Sequence, residues 1–371
     1  MTIAARSTPP GFASRLFLSG TLAFLAAGAG PALTGVSLTV WSEAFHLGPG
    51  EGGALLAANG AGSLTALLLG LAGLPGIGLR LGLGTFALGA ALLGLAPSWG
   101  LLLAAGFVTG LGFGQIIAAV NRAFLGGFGE RGPGMVGLVN AIYGLGAILS
   151  PLLFLWAGSR PTAVYLAIAA LAVLALLLAR PDPNPAPRGL PDLRSRRLLV
   201  TLFIFGNGLI EGASAGFGAS ALIDAGIAAD TAARLTSAFF AAYLLSRLSL
   251  YWLARHVGSD RLFLLGAGGA GLCMAVAALG APAPGFVLAG AFVGMIFPAH
   301  YVWATGILGD DPRMTSAILA VALLGGTLAP LVLRPLLGMT GEAGLFWIVT
   351  LAALSLAALF ALLKGRAPVP A

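Results

Sequence analysis

Residues 179–197 read ARPDPNPAPRGLPDLRSRR. Prolines at 181, 183, 185, 187 and 191 prevent a continuous helix through this stretch, and its arginines keep it in water. No other segment of the 371 residues is both long and hydrophilic, and it falls almost at the midpoint. Everything on either side is apolar. The chain is 58% hydrophobic, contains 57 glycines and is only 8% charged, with a mean hydropathy of +1.00. A soluble domain needs roughly a quarter to a third of its surface charged. This composition excludes one, so lipid is the solvent for most of the surface.

The apolar material comes in long continuous runs, not the ten-residue alternating segments of a membrane barrel. A helix crosses the bilayer in about 20 apolar residues and satisfies its own backbone there. Breaks at Pro, Gly and charge predict twelve spans: 16–42, 52–74, 76–97, 100–124, 133–157, 161–179, 197–222, 231–254, 260–279, 283–307, 312–336 and 343–363. The division at LPGIGL, around Pro75, is marked least sharply. The hydrophilic stretch then separates an N-terminal six-helix bundle (1–180) from a C-terminal one (197–371), with 181–196 as a linker.

The net charge of +7 is explained by the same layout. With the N-terminus in the cytoplasm, 15 of the 19 basic residues fall on the inner side. Only Arg160, Arg234 and Arg334 fall outside, and Arg247 lies within a span. This is the positive-inside pattern, so the charge is a topological signal and not a nucleic-acid surface. A multi-pass protein of the cell (plasma or inner) membrane is expected, with both termini cytoplasmic. The first apolar run is too long for a cleaved signal and reads as retained. One cysteine (Cys273) and scattered His46, His256 and His300 offer no disulfide framework or metal cluster, and no cofactor is expected.

The halves echo each other. GAILSP (146–151) in span five and GGTLAP (325–330) in span eleven both read G-x-x-x-small-Pro, 179 residues apart. Gly106, Gly110 and Phe113 in span four return as Gly290, Gly294 and Phe297 in span ten, each 184 residues on. Small residues four apart let helices approach closely, which alone would account for any single motif. Their paired placement predicts a parallel six-plus-six repeat.

On these residues the chain resembles the major facilitator superfamily along its whole length. GFVTGLGFG (106–114) is similar to the glycine-rich fourth helix of that superfamily. FGNGLIEGASAGFGASAL (205–222) and AAYLLSRLSLYWLARHVGSDR (241–261) resemble helices seven and eight of its fucose-permease-like bacterial branch. There, a carboxylate follows small residues and a Gly-Arg or Ser-Arg pair sits in helix eight; here these are Glu211 and Ser246-Arg247. The resemblance implies an all-α membrane fold of two pseudo-symmetric six-helix bundles. It also implies transport of a small organic solute, sugar-like in that branch, by alternating access. Two departures stand out. The loop GLPGIGLRLG (73–82) keeps Arg80 but lacks the family's Asp, whereas GSDRLF keeps Asp260 and Arg261. Spans one and four carry no carboxylate of the kind that moves protons in sugar permeases.

An ionisable group inside a span is by default a functional candidate. Glu211 lies near the middle of span seven, with Asn207 and Ser214 on its face. A carboxyl group in lipid stays neutral unless a cation lies beside it, so Glu211 is the proton-coupling candidate, with a structural hydrogen bond as the alternative. Arg247 in span eight is its natural partner, or a snorkelling side chain reaching the interface. His300, with Tyr301 and Trp303 in PAHYVW beside Pro298, suits substrate contact or a titrating gate, or plain packing. Buried amides and hydroxyls must find partners, which adds Asn140 and Tyr143 (span five), Gln115 and Asn121 (span four) and Thr34 and Ser37 (span one) as substrate-binding candidates. Asp310-Asp311 at a helix start is read as favouring the helix dipole, and no catalytic constellation is present, so an enzyme is not expected.

The expected function is therefore a secondary transporter, proton-coupled through Glu211, with a small-molecule substrate, membrane lipids and H+ as partners, and monomeric. Export of lipophilic compounds is the alternative, and a non-transporting membrane receptor is the competing class.

Overall fold

The computed structural model describes residues 12–48, 50–71, 78–128, 132–180, 196–308 and 312–366. Twelve α-helices fill them: α1 (Phe12–Ala44), α2 (Gly53–Leu71), α3 (Leu79–Leu95), α4 (Trp99–Gly127), α5 (Gly132–Trp156), α6 (Pro161–Leu178), α7 (Arg196–Asp224), α8 (Ala229–Leu253), α9 (Ser259–Ala278), α10 (Pro282–Leu308), α11 (Pro312–Thr340) and α12 (Leu345–Leu363). They follow the twelve expected spans one for one. The LPGIGL break and nearly all of the linker fall outside the described residues. Ten of the helices are long and apolar enough to cross a membrane. The other two are α3, with 17 residues, and α8, whose apolar stretch is interrupted by Arg247.

The outward surface is apolar where a soluble protein would be charged. Leu177 and Leu362 are each 77% exposed and Leu272 is 63% exposed, which is tolerable only in lipid. Connections are short and capped: Ser98 accepts from the Leu101 amide at the start of α4, and Pro161 opens α6, where its missing N–H costs nothing.

Within the N-terminal half α1 packs on α5 and α6, α2 on α4, and α3 on α4 and α6. The C-terminal half repeats the scheme: α7 on α11 and α12, α8 on α10, and α9 on α10 and α12. Glycines set both copies. A Cβ on Gly28 would lie 1.9 Å from the Tyr143 carbonyl oxygen, and one on Gly208 would lie 2.0 Å from that of Ala322. Gly146 meets the Leu25 carbonyl as Gly325 meets that of Phe205, both at 2.2 Å. Gly110 abuts the Asn59 carbonyl at 1.8 Å, and Gly294 that of Tyr243 at 2.5 Å. No side chain fits at those distances, so the glycine repeat read from the sequence is the docking code of each half.

The halves meet along α1–α7, α2–α11 and α5–α8. With an even number of helices, α1 begins and α12 ends on one face, the terminal face. At the opposite, far face the seam is tight. A Cβ on Gly35 would sit 2.5 Å from the Ala215 carbonyl oxygen, and one on Gly53 would meet Phe217 at 2.6 Å and Pro330 at 2.9 Å. Toward the terminal face, α4 and α10 make their extensive contacts only within their own halves. The molecule is closed at the far face, and these two helices do not seal the terminal one.

Candidate functional site

Tyr243 and Arg247 are four residues apart on α8, so their side chains share a face. Helical side chains lean toward the N-terminus, which on α8 is the far-face end. The guanidinium accordingly lies over the Tyr243 ring, 4.3 Å from its centroid, and its Nη2 donates to the Tyr243 hydroxyl. Its Nε donates to the Gly294 carbonyl of α10 at 3.2 Å; the close approach at that glycine puts the carbonyl in reach. The Tyr243 hydroxyl then donates to Glu211 Oε1 on α7 at 2.8 Å. Arg247 and Glu211 are partners, as expected, but through a tyrosine. The guanidinium points one turn deeper into the span, away from the terminal face, so it does not snorkel.

The other half contributes Tyr143. Its ring sits 6.3 Å from Phe24 of α1 and 6.3 Å from Phe113 of α4. Its hydroxyl lies in the field of both Glu211 and Arg247. Next to it, a Cβ on Gly144 would touch Leu244 of α8 at 2.9 Å, which is how α5 comes close enough. The site therefore straddles the α5–α8 seam, with charge on one side and a phenol on the other. Asn207, one turn from Glu211, is buried with its Oδ1 unpartnered. Ser214 bonds back to the Ile210 carbonyl and is spent within its helix. Asn140 donates to Asn121 Oδ1 at 3.1 Å and to the Val136 carbonyl at 2.8 Å, tying α5 to α4 just below Tyr143.

The remaining candidates stand apart from this cluster. Thr34 donates to the Gly30 carbonyl and meets the Tyr165 hydroxyl of α6 at 2.8 Å, while Trp41 stacks on the same tyrosine at 5.7 Å. This face of α1, with buried Ser37 on it, is turned onto its own half. Gln115 is buried where α4 meets Gly82 of α3. His300 is fully buried, its Nε2 2.8 Å from the Val200 carbonyl. Since a carbonyl only accepts, Nε2 carries the proton. The ring lies 5.8 Å from both Phe263 and Trp303, within an aromatic cluster completed by Phe203 and Phe360. Tyr301 stacks on Phe297 at 6.1 Å.

Sequence reasoning missed Tyr243, although its i,i+4 spacing to Arg247 was there to be read. It also missed a polar latch at the far face. There the Gly50 amide donates to Glu342 Oε1 at 2.7 Å and Arg334 Nη2 pairs with Glu51 at 3.1 Å. The Ala343 amide also donates to Asp224 at 2.8 Å. Gly50 has φ +72°, and a Cβ there would meet the Arg334 backbone at 2.9 Å, so glycine is required twice over. The Gly48 amide above all, with help from Arg334, holds the exposed Glu51 carboxylate below its ordinary range. At the terminal face Lys364 pairs with Asp260 at 2.5 Å.

No family model and no curated protein matches the chain. Solved structures do. The chain is similar to a D-xylose-proton symporter, with TM-score 0.76, 14% identity, and 94% of this chain and 97% of that one covered. It is similar to the E. coli fucose:proton symporter, with TM-score 0.64, 19% identity, and coverage of 95% and 98%. It is also similar to a bacterial homologue of the human lysosomal transporter Spinster in an inward-facing and occupied conformation, with TM-score 0.69, 14% identity and 98% coverage of both chains. At these identities the likeness establishes the fold. It is the twelve-helix major facilitator fold of an integral membrane protein.

Proposed function

We propose that the protein is a secondary active transporter that moves a small organic solute by alternating access, coupled to protons through Glu211. One observation carries the reading. A buried carboxylate, joined to a guanidinium through a phenol, sits at the seam of two halves that are closed at one face only. Protonating Glu211 removes the acceptor charge for Tyr243 and changes what holds α7, α8 and α5 together. A charge change at the seam is what a rocking fold needs to link proton and solute. A receptor or scaffold has no use for such a group, because ionisable residues in a span are costly.

The arginine distribution assigns the terminal face to the cytoplasm, which makes this the inward-facing state in a plasma or inner membrane. The moving bodies are residues 1–180 and 197–371, joined by 181–196, in a monomer. Proton symporters of fucose and xylose with this fold favour a polar solute over a lipophilic one.

The test is uptake into proteoliposomes with an alkaline interior, screened over a solute library. Accumulation driven by the proton gradient is expected, and Glu211→Gln should abolish accumulation while preserving exchange. Uptake that keeps its pH dependence in Glu211→Gln would refute the coupling. A library with no transported solute would refute transport.

A further inference from the structure

The two halves dock α2 on α4 and α8 on α10 by the same device, and the comparison isolates what Arg247 adds. In the N-terminal half Ser63 donates its hydroxyl to the Gly110 carbonyl at 3.1 Å. In the C-terminal half, 184 residues on, Arg247 donates Nε to the Gly294 carbonyl at 3.2 Å. Asn59, whose carbonyl abuts Gly110, corresponds in the same way to Tyr243. A serine-sized neutral donor is enough to seat this helix pair. The guanidinium charge at the same place is surplus to packing, and it is retained in a span where charge is costly.

That charge is balanced by Glu211 alone, and through a hydroxyl. The other titratable groups on the neighbouring elements are too distant or neutral to substitute. Tyr143 of α5 and Tyr243 of α8 are phenols. On α10, His300 is bonded to Val200, eleven residues from Glu211 along α7, and Tyr301 is a phenol beside Phe297. Arg334 of α11 and Glu342, ahead of α12, belong to the far-face latch, while Glu43 and Arg15 lie near the two ends of α1. When Glu211 takes a proton, the guanidinium loses its counter-charge and must recruit another in a low-dielectric seam.

We propose that the solute is a small organic monoanion, a carboxylate in the first instance, which takes the place of the Glu211 charge beside Arg247, with Tyr143 and Tyr243 as hydroxyl donors. Proton and anion then enter together as a neutral pair, one to one. The inference rests on the transport reading and specifies its substrate. The planar fork of arginine suits a carboxylate bidentately.

The experiment uses the purified full chain in detergent. Thermal unfolding is followed with acetate, butyrate, benzoate and gluconate, each against its primary amide. Ligand bound to the folded state raises Tm. At least one carboxylate should raise Tm while its amide does not. Its apparent Kd should weaken about tenfold per pH unit once Glu211 is ionised, because one proton must be taken up with it. Glu211→Gln, an isosteric stand-in for the protonated acid, should bind the same carboxylate without pH dependence. Arg247→Lys, which keeps the charge and loses the fork, should bind it at least tenfold more weakly, and Arg247→Gln should lose the preference over the amide. In proteoliposomes, uptake of that carboxylate should respond to a pH gradient and not to a potassium diffusion potential.

Equal binding of amide and carboxylate, a flat pH dependence in the unaltered protein, or potential-driven uptake would each overturn the proposal. So would a panel in which nothing binds. A neutral solute carried by a proton gradient would sink the anion and leave transport standing. A carboxylate that binds as described but neither accumulates nor exchanges would leave the site standing and sink transport.

Discussion

Opening at the far face must break the latch, and its two polar contacts differ in strength. The Glu51–Arg334 pair is solvent-exposed, with side chains 43% and 54% accessible, so it contributes only about 0.2–1 kcal/mol. The Gly50 amide, by contrast, donates to a half-buried carboxylate at 2.7 Å, and hydrogen bonds to charged groups contribute about 1.5–3 kcal/mol. Glu342→Ala should therefore raise the population open at the far face about 10- to 100-fold, while Glu51→Ala should raise it less than about fivefold. Glu342→Gln, which keeps an acceptor but not its charge, should fall between. The reporter is Leu56→Cys in a Cys273→Ser background. Leu56 lies under the seam, where a Cβ on Gly216 would reach it at 2.2 Å. Its labelling rate by a membrane-impermeant maleimide from the far side follows the open population, since the closed state buries it. Rates unchanged in Glu342→Ala, or a larger effect from Glu51→Ala, would refute this ranking.

Gly294→Ala places a methyl group 2.5 Å from the Tyr243 carbonyl oxygen and from Ser246 Oγ. It should cost about 1–3 kcal/mol and cut uptake, whereas Gly30→Ala, with nothing within 4 Å, should leave Tm and uptake unchanged. His300→Phe removes the bond to Val200 from a fully buried site. It should lower stability by about 1–3 kcal/mol yet leave the pH profile of uptake in place; a flattened profile would restore His300 as a titrating gate. Thr34→Val loses the contact to Tyr165 and should cost about 0.5–1.5 kcal/mol in unfolding assays without changing solute affinity. Because the Glu51 pKa is lowered, the contribution of its ion pair is present above the ordinary carboxylate range and lost as pH falls through the depressed value. Labelling of the Leu56→Cys reporter should thus differ between Glu51 and Glu51→Gln proteins by a constant ratio from pH 8 down to about 5, and converge well below about pH 4.

The spans were legible because lipid enforces them. A backbone without water must be helical, and Pro, Gly and charge mark where water begins. The charged members of the site were legible for a related reason: Glu211 and Arg247 interrupt apolar runs, and such interruptions are rare. Tyr243 was not, because a tyrosine in an apolar run is unremarkable until its neighbours are known. Nor could the sequence say which way a helix is rotated within its bundle. Thr34 and Ser37 form a polar face on α1 that could have lined the seam, but the stacking of Trp41 on Tyr165 turns it onto α6. The rotation of α10 likewise sends His300 into an aromatic cluster. The far-face latch joins residues 292 apart in sequence, and no local pattern announces it.

The repeat explains why the chemistry gathers on one side of the molecule. The scaffold is symmetric in its glycines, yet the positions matching Glu211, Tyr243 and Arg247 by the same offsets are Pro31, Asn59 and Ser63, and Tyr143 is matched by Ala322. The α2–α11 seam is accordingly steric: Gly60 packs on Thr327, where a Cβ would sit 2.3 Å from the hydroxyl oxygen, and Gly53 packs on Pro330. The α5–α8 seam is polar and titratable. If both seams were steric, the two orientations of the halves would differ only by packing, and a proton could not choose between them. Differential interaction with the two states is what lets a ligand move an equilibrium. The lone protonatable chain at α5–α8 supplies that difference, and the steric seam at α2–α11 supplies the surface against which the rocking closes.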